Sequence, residues 1–313
     1  RFPNEIVQLV HLRFLSLSGH FKVLPPAISN LWNLQTLVVV TTSRNLDIQA
    51  DLWKMLQFRH LHTSGLSCLH GPRAETRKDS EDPFVRRNIQ TICTIVPECC
   101  TENILSRTPN LKKLGIRGKL VMLVQERGGM SLFDNLAKLD HLETLKLLND
   151  TFPLDPFKCH IPGLPQSYKF PPNLKKLTLS DTLLDWSEMS TLGMLPNLEV
   201  LKLKDYAFRG SRWEPLDGGF RLLRVLQLGR SDLVHWHASS HHFPRLERVV
   251  LKHCTHLEEI PCGFGEVSAL QNMELYWPTP AAAASARLIQ QQKQQDQRMV
   301  NSAFKLLIYP PDL

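Results

Sequence analysis

A six-residue block with leucine at its first, fourth and sixth positions recurs through this chain, and no other feature limits the fold as much. Leu174-Lys-Lys-Leu177-Thr-Leu179 is followed 24 residues later by Leu198-Glu-Val-Leu201-Lys-Leu203, each led in by Pro-Asn. The same block fits Leu12-x-x-Leu15-x-Leu17, Leu34-x-x-Leu37-x-Val39, Leu111-x-x-Leu114-x-Ile116 and Leu142-x-x-Leu145-x-Leu147. It returns at Leu223-x-x-Leu226-x-Leu228, Leu246-x-x-Val249-x-Leu251 and Leu270-x-x-Met273-x-Leu275, with degenerate copies at Phe58-x-x-Leu61 and Ile89-x-x-Ile92. Neither a helix nor an ordinary half-buried strand repeats its apolar positions in this way. A short strand that buries positions four and six, after a bend that buries position one, does. One such unit cannot bury its own apolar face, so neighbouring units must stack.

The eleven blocks follow one another at 22 to 32 residues, which predicts an α/β leucine-rich-repeat solenoid. Its parallel sheet should line the concave face and its convex side should be irregular, since segments such as Leu24-Pro25-Pro26-Ala-Ile28 break regular helix. Leu15, Leu37, Leu114, Leu145, Leu177, Leu201, Leu226 and Leu275 should be buried, with Trp53, Trp213 and Trp236 in the convex-side core. Two insertions stand out. His70 to Arg87 is charged and poor in apolar residues, and reads as a mobile, protease-sensitive loop. Leu148 to Pro172 carries six prolines and reads as an ordered, irregular excursion.

The repeat stops after Trp277, so residues 1–277 form the solenoid and 278–313 a C-terminal cap. Within the cap, about 281–299 is rich in Ala and Gln without Gly or Pro; helix is the reading adopted, with disorder its rival. Phe304 to Tyr309 alternates with period two and reads as a last strand closing the open end.

Composition sets the class. With 42% hydrophobic and 21% charged residues in 313, the chain can bury a core. It has no run of eighteen apolar residues, so no membrane insertion is expected. The net charge of +7 permits an acidic partner. Seven cysteines, scattered from Cys68 to Cys262, fit free, mostly buried thiols in a reducing, cytoplasmic setting. Arg1-Phe2-Pro3-Asn4-Glu5 shows neither an initiator Met nor a signal pattern and reads as the interior of a longer chain.

No phosphate loop, dinucleotide fingerprint, nucleophile elbow or His-Glu-x-x-His motif occurs, so neither an enzyme nor nucleotide hydrolysis is expected. His235, His237, His241 and His242 have zinc-type side chains, as do His253, Cys254, His256 and Cys262. The repeat register would bury Cys254 and expose His253 and His256, and the first group reads as a solvated loop, so no tightly bound metal is expected. Cys99-Cys100 reads as a pair of buried spacers. The expected binding surface is the inner face, where Lys112, Lys113, Arg117, Lys146, Lys175, Lys176, Lys202, Lys204, Arg224, Arg230, Arg248 and Lys252 lie between or just beyond the block leucines. Strands about 5 Å apart would stack them into a basic stripe, partly neutralised by Glu143, Glu199, Glu247 and Glu274. With few aromatics interleaved, an acidic protein surface suits it better than nucleic acid.

Phe2-Pro-Asn-Glu-Ile-Val-Gln-Leu-Val-His-Leu-Arg-Phe-Leu15, Asp51-Leu-Trp-Lys-Met-Leu-Gln-Phe-Arg-His-Leu61, Leu195-Pro-Asn-Leu-Glu-Val-Leu-Lys-Leu203 and Leu257-Glu-Glu-Ile-Pro-Cys-Gly-Phe-Gly265 resemble plant intracellular immune receptors. The likeness is to the coiled-coil, nucleotide-binding, leucine-rich-repeat class related to late blight resistance proteins, and it covers nearly the whole chain. The resemblance implies a sensor that holds the receptor's own nucleotide-binding domain inactive until a pathogen effector, or a host protein it modifies, disturbs that contact. Receptor activation would then trigger defence and local cell death. It places ADP or ATP in that separate domain and implies no cofactor here. The residues alone leave two rivals open: the substrate-binding repeats of an F-box ubiquitin-ligase adaptor, and a secreted receptor ectodomain.

Overall fold

The computed structural model describes residues 3–71, 88–126, 128–150, 161–296 and 304–311. The expected mobile loop over 72–87, and the expected excursion across 151–160, lie outside the described residues. The chain divides into two compact units, Arg1–Asp155 with Lys169–Asn173, and Pro156–Tyr168 with Leu174–Leu313.

In the first unit each block carries one strand of a parallel ladder: β1 (Phe14–Gly19), β2 (Thr36–Thr41), β3 (His60–Thr63), β4 (Thr91–Ile95), β5 (Lys113–Gly118) and β6 (Thr144–Asn149). The second unit repeats the arrangement with β7 (Lys176–Ser180), β8 (Val200–Lys204), β9 (Val225–Gly229), β10 (Arg248–Lys252), β11 (Asn272–Tyr276) and β12 (Lys305–Tyr309). Block residues meet their counterparts in register: Leu15 faces Leu37, Leu177 faces Leu201, and Leu226 faces Val249. All eight leucines expected inside are buried, Leu15 at 8% exposure and Leu37, Leu145, Leu177, Leu201, Leu226 and Leu275 at 0%. The degenerate blocks obey the same rule, since Phe58, Leu61, Ile89 and Ile92 are all buried. Bulk at positions one and four therefore suffices where leucine itself is absent.

The asparagine that leads in several blocks has a structural task. Asn33 Nδ2 donates to the Val10 carbonyl, Asn88 Nδ2 to the Leu56 carbonyl and Asn173 Nδ2 to the Asp140 carbonyl, at 2.8 to 3.1 Å. Each bond ties a coil to the equivalent point of the coil before it. Replacing Asn173 by Ala is expected to lower stability by about 1 kcal/mol, the net worth of one such bond, as a shift in urea midpoint.

Between the block strands the chain turns through short 3₁₀ segments such as Pro26–Asn30, Leu132–Asn135 and Cys262–Gly265. The structure also holds short strands that the expectation of a merely irregular convex side omitted. Asn45–Ile48 pairs in parallel with Val23–Leu24 and with Leu66–Leu69, while Leu184–Asp185 pairs with Phe208–Arg209 and Arg212–Trp213 with His235–Trp236. Once coils are in register, equivalent stretches beyond the main strand also run side by side, and their backbone groups pair.

Trp53, Trp213 and Trp236 are buried, as expected. In the second unit, Trp186, Trp213 and Trp236 form a ladder with ring centroids 5.1 and 5.2 Å apart. A helix spans Pro280–Asp296. Its Ala282, Ala283, Ala286, Ile289 and Lys293 are buried, at helical spacing, and the Lys293 ammonium donates to the Val267 carbonyl. After it β12 extends the ladder, with Leu306 opposite Met273 and Ile308 opposite Leu275.

Candidate functional site

Side chains at positions three, five and seven, counted from the first block leucine, alternate with the buried ones and face outward. Among the twelve expected basic residues, Lys113 and Arg117 take positions three and seven of β5, and Lys146 position five of β6. Lys176 holds position three of β7, Lys202 and Lys204 positions five and seven of β8, and Arg248 and Lys252 positions three and seven of β10. Lys112, Lys175 and Arg224 stand at position two, before the strand, and are exposed. Arg230 stands at position eight, at the exit of β9, with a left-handed backbone of φ 49°.

In the second unit the register does not stack these cations in a column. Lys176 lies opposite Val200, Lys202 opposite Gln227, and Lys252 between Gly229 and Tyr276. Arg248 lies between Val225 and Asn272. The pattern is a chequerboard, which keeps directly paired neighbours from carrying like charge. Lys202 is its centre. Its ammonium is pushed below the ordinary lysine range, first by partial burial and then by Lys176, Lys204, Arg248 and Lys252. No described carboxylate forms an ion pair with Lys176, Lys202, Lys204 or Lys252.

Several of the expected arginines are already occupied. Arg224 grips Glu247 through Nε at 2.8 Å and Nη2 at 3.0 Å. Arg230 meets Asp205 at 3.1 Å and Arg248 meets Glu274 at 2.6 Å. In the first unit Arg117 and Arg44 share Asp150, at 3.0 and 2.8 Å. The Arg224–Glu247 and Arg230–Asp205 pairs are exposed and weak, and a partner's carboxylate could exchange into them, whereas Asp150 and Glu274 are largely covered. Lys176, Lys202, Lys204 and Lys252 need no such exchange.

Sequence reasoning passed over two groups. One is the aromatic end of the second unit, where His253 stacks on Trp277 with centroids 6.2 Å apart and Tyr309 meets Trp277 edge-on at 5.7 Å. Lys252 Nζ lies 4.9 Å from the centre of the Tyr276 ring. The period-two alternation of β11 and β12 carried the signal for Tyr276 and Tyr309. The other is His60 and His62 on β3, whose rings stack at 6.4 Å on the outward face of the first unit.

The histidine and cysteine clusters resolve differently. Cys254 is buried while His253 and His256 are exposed, as the register implied. In the first cluster His237 and His241 are exposed as expected, but His242 is corrected: it is buried, not solvated. Its Nδ1 accepts the Ser239 N–H at 2.9 Å, so Nε2 carries the proton and faces Asp217 at 3.1 Å. That tautomer closes the turn Ser240–His242 and leaves neither ring nitrogen free to ligate. A separate group, Asp47, Cys68 and His70, brings its donor atoms within 4.8 Å of one another. Here His70 Nε2 meets one Asp47 oxygen at 2.6 Å and Gln49 donates to the other at 2.9 Å. Cys99 and Cys100 are buried, and burial pushes the Cys99 thiol up to about 12.

Compared with known proteins, residues 2–301 match the family described as leucine-rich repeat region. Two putative late blight resistance protein homologues of Solanum demissum are similar throughout. R1C-3 is 32% identical over 310 residues, covering 96% of this chain and 22% of the relative. R1B-23 is 31% identical over 310 residues, covering 96% and 23%. The chain thus spans about a fifth of the length of these relatives. Among solved structures, the leucine-rich repeat domain of the type III effector XopL aligns with a TM-score of 0.38 and 14% identity, over 97% of this chain and 79% of that one.

Proposed function

The chain belongs to the leucine-rich repeat family, and from that premise we propose that it is the sensor and autoinhibitory repeat region of a plant disease-resistance receptor. In this reading its outward sheet faces hold an acidic protein surface, either the receptor's own nucleotide-binding domain or a pathogen effector or effector-modified host protein. Exchange between the two would release the switch that starts defence and cell death, and the work would take place inside the cell. The observation that carries the reading is the placement of Lys176, Lys202, Lys204 and Lys252 on the outward face of β7, β8 and β10, where none of the four is ion-paired with a described carboxylate. Four lysines grouped on a solvent face without paired carboxylates among the described residues raise one another's energy, and an acidic partner relieves that cost. The likeness to late blight resistance homologues over 96% of the chain supports the receptor setting. The parallel ladder and the absence of a catalytic motif support a binding role. No described helix is long and apolar enough to cross a membrane.

The test is the triple variant Lys176→Glu, Lys202→Glu, Lys204→Glu in the full receptor, expressed in leaf tissue at matched abundance. Cell death without a pathogen, or loss of the pathogen response, is the expected outcome. Unchanged behaviour in both assays would overturn the reading. In vitro, partner binding should weaken steeply as salt rises through the range where the Debye length falls below about 10 Å.

A further inference from the structure

The outward face of the first unit differs in chemistry from that of the second. Its register runs Thr36, His60, Thr91, Lys113, Thr144 along position three, and joins Val38 to His62 and Gly115 to Lys146 at position five. No carboxylate occupies an outward position in these described strands; Asp150, beyond the end of β6, is held by Arg44 and Arg117. At position two, just before the strands, the coils add Arg13, Arg59 and Lys112, with the single carboxylate Glu143 beside Lys112. His60 and His62 are held neutral more strongly than free imidazole. Partial burial is the largest cause for each, followed for His60 by His62, Arg59 and Lys113, and for His62 by Lys113 and Lys146. Thr91 Oγ1 lies 3.2 Å from His60 Nδ1. Between these groups β4 bulges at Cys93 and Thr94, and Thr94 takes φ 68°. Gly115 lies against that bulge: a Cβ there would stand 3.0 Å from the Thr94 nitrogen. The centre of the face is thus the half-buried Cys93 and Thr94 beside Gly115, ringed by two lysines and two imidazoles.

On the premise that the sheet faces are the binding surface, we propose that this face takes a phosphorylated segment of a partner protein, its phosphate seated between His60, His62, Lys113 and Lys146. A phosphomonoester supplies three acceptor oxygens, and its second ionisation falls near pH 6, in the imidazole range. The dianion's charge favours the imidazolium form and offsets the repulsion from Lys113, a secondary cause of the shift at both rings, so protons enter with the ligand. A protein segment fits better than free phosphate because an apolar strip continues from the same face. Val38 adjoins His62 in register, and Val40 and Phe14 are half exposed beside it. From β2 to β6 is four strand spacings, about 19 Å, the reach of roughly six extended residues. Such a segment sets its phosphate on the basic end and aliphatic side chains on Val38 and Val40.

The experiment measures binding to this chain of a hexapeptide with one phosphoserine and two flanking valines. Its serine and glutamate counterparts and inorganic phosphate serve as the other arms, by calorimetry at pH about 7.5 and about 6.5. The phosphopeptide should bind at least about tenfold tighter than each of the other three, and tighten severalfold at the lower pH. His60→Gln with His62→Gln should flatten that pH dependence, while Lys113→Gln with Lys146→Gln should abolish binding, both with unchanged circular dichroism. Equal binding of the glutamate peptide would make this a general acidic surface, and equal binding of inorganic phosphate an ion site; either result overturns the proposal, as does absence of binding. The Lys176, Lys202 and Lys204 reversal should leave phosphopeptide binding intact, so failure here and failure of the receptor reading are separately visible.

Discussion

Leu177→Asp is expected to destabilise the chain by more than about 3 kcal/mol, enough to remove most of the margin of an ordinary domain. Leu177 is fully buried at position four of β7, directly opposite Leu201, with Leu174 and Leu179 buried in the same coil. Truncation alone would forfeit about 2 to 5 kcal/mol of burial and packing. Aspartate adds a carboxylate with no described cation beside it in the interior, so its charge or its proton must be accommodated there at further cost. Lys176→Asp, one residue away on the outward face, serves as the control and should shift stability by no more than about 0.5 kcal/mol. Urea unfolding followed by circular dichroism separates the two. A Leu177→Asp protein within about 1 kcal/mol of wild type would mean that position four does not hold the core.

That contrast marks what could be read from the sequence. The block fixes the inward or outward sense of each residue, because strand side chains alternate, and so the burial of Leu177, Phe58 and Ile89 was legible even where the block was degenerate. Tryptophans at coil junctions were legible for a similar reason, since no solvent-facing position of the block would hold them. Pairing between coils was not. Whether Arg224 reaches Glu247, or Arg230 reaches Asp205, depends on side chains from neighbouring coils meeting at strand ends, where the chain leaves regular strand geometry. Three of the twelve residues expected on the face stand at position two, and four arginines of the twelve have carboxylate partners, so the basic stripe became clusters centred on lysines. His242 escaped as well. Its burial comes from closing a turn through Nδ1, a contact between residues three apart that carries no periodic signal. His60 and His62 were visible as outward residues of a degenerate block, but their meaning lay in Lys113 and Lys146, two and three strands away.

Trp213→Ala is expected to cost about 3 to 5 kcal/mol, the other large effect in this chain. Trp213 is 2% exposed and is the middle rung of the ladder, between Trp186 at 5.1 Å and Trp236 at 5.2 Å. Phe220 and Phe243 meet its ring edge-on at 6.5 and 6.0 Å. Removing the indole leaves a cavity lined by four aromatic faces and edges, which cannot collapse without moving successive coils. Each lost aromatic pair adds about 0.5 to 1.5 kcal/mol beyond area burial, so the effect should sit near the top of the range. Trp213→Phe should cost much less. It keeps a stacked ring and deletes an indole N–H that is buried without a described acceptor, a group whose burial costs about 1 to 3 kcal/mol. Trp186 is different, because its Nε1 donates to the Gly210 carbonyl at 2.9 Å. Trp186→Phe therefore leaves that carbonyl short of a donor and should cost more than Trp213→Phe, although Trp186 lies nearer the end of the ladder. Denaturant midpoints of the three variants decide the matter. If Trp213→Phe proved as damaging as Trp213→Ala, the indole nitrogen would have to be making a contact that stabilises the fold, and the ladder would owe its strength to polar pairing rather than to stacking.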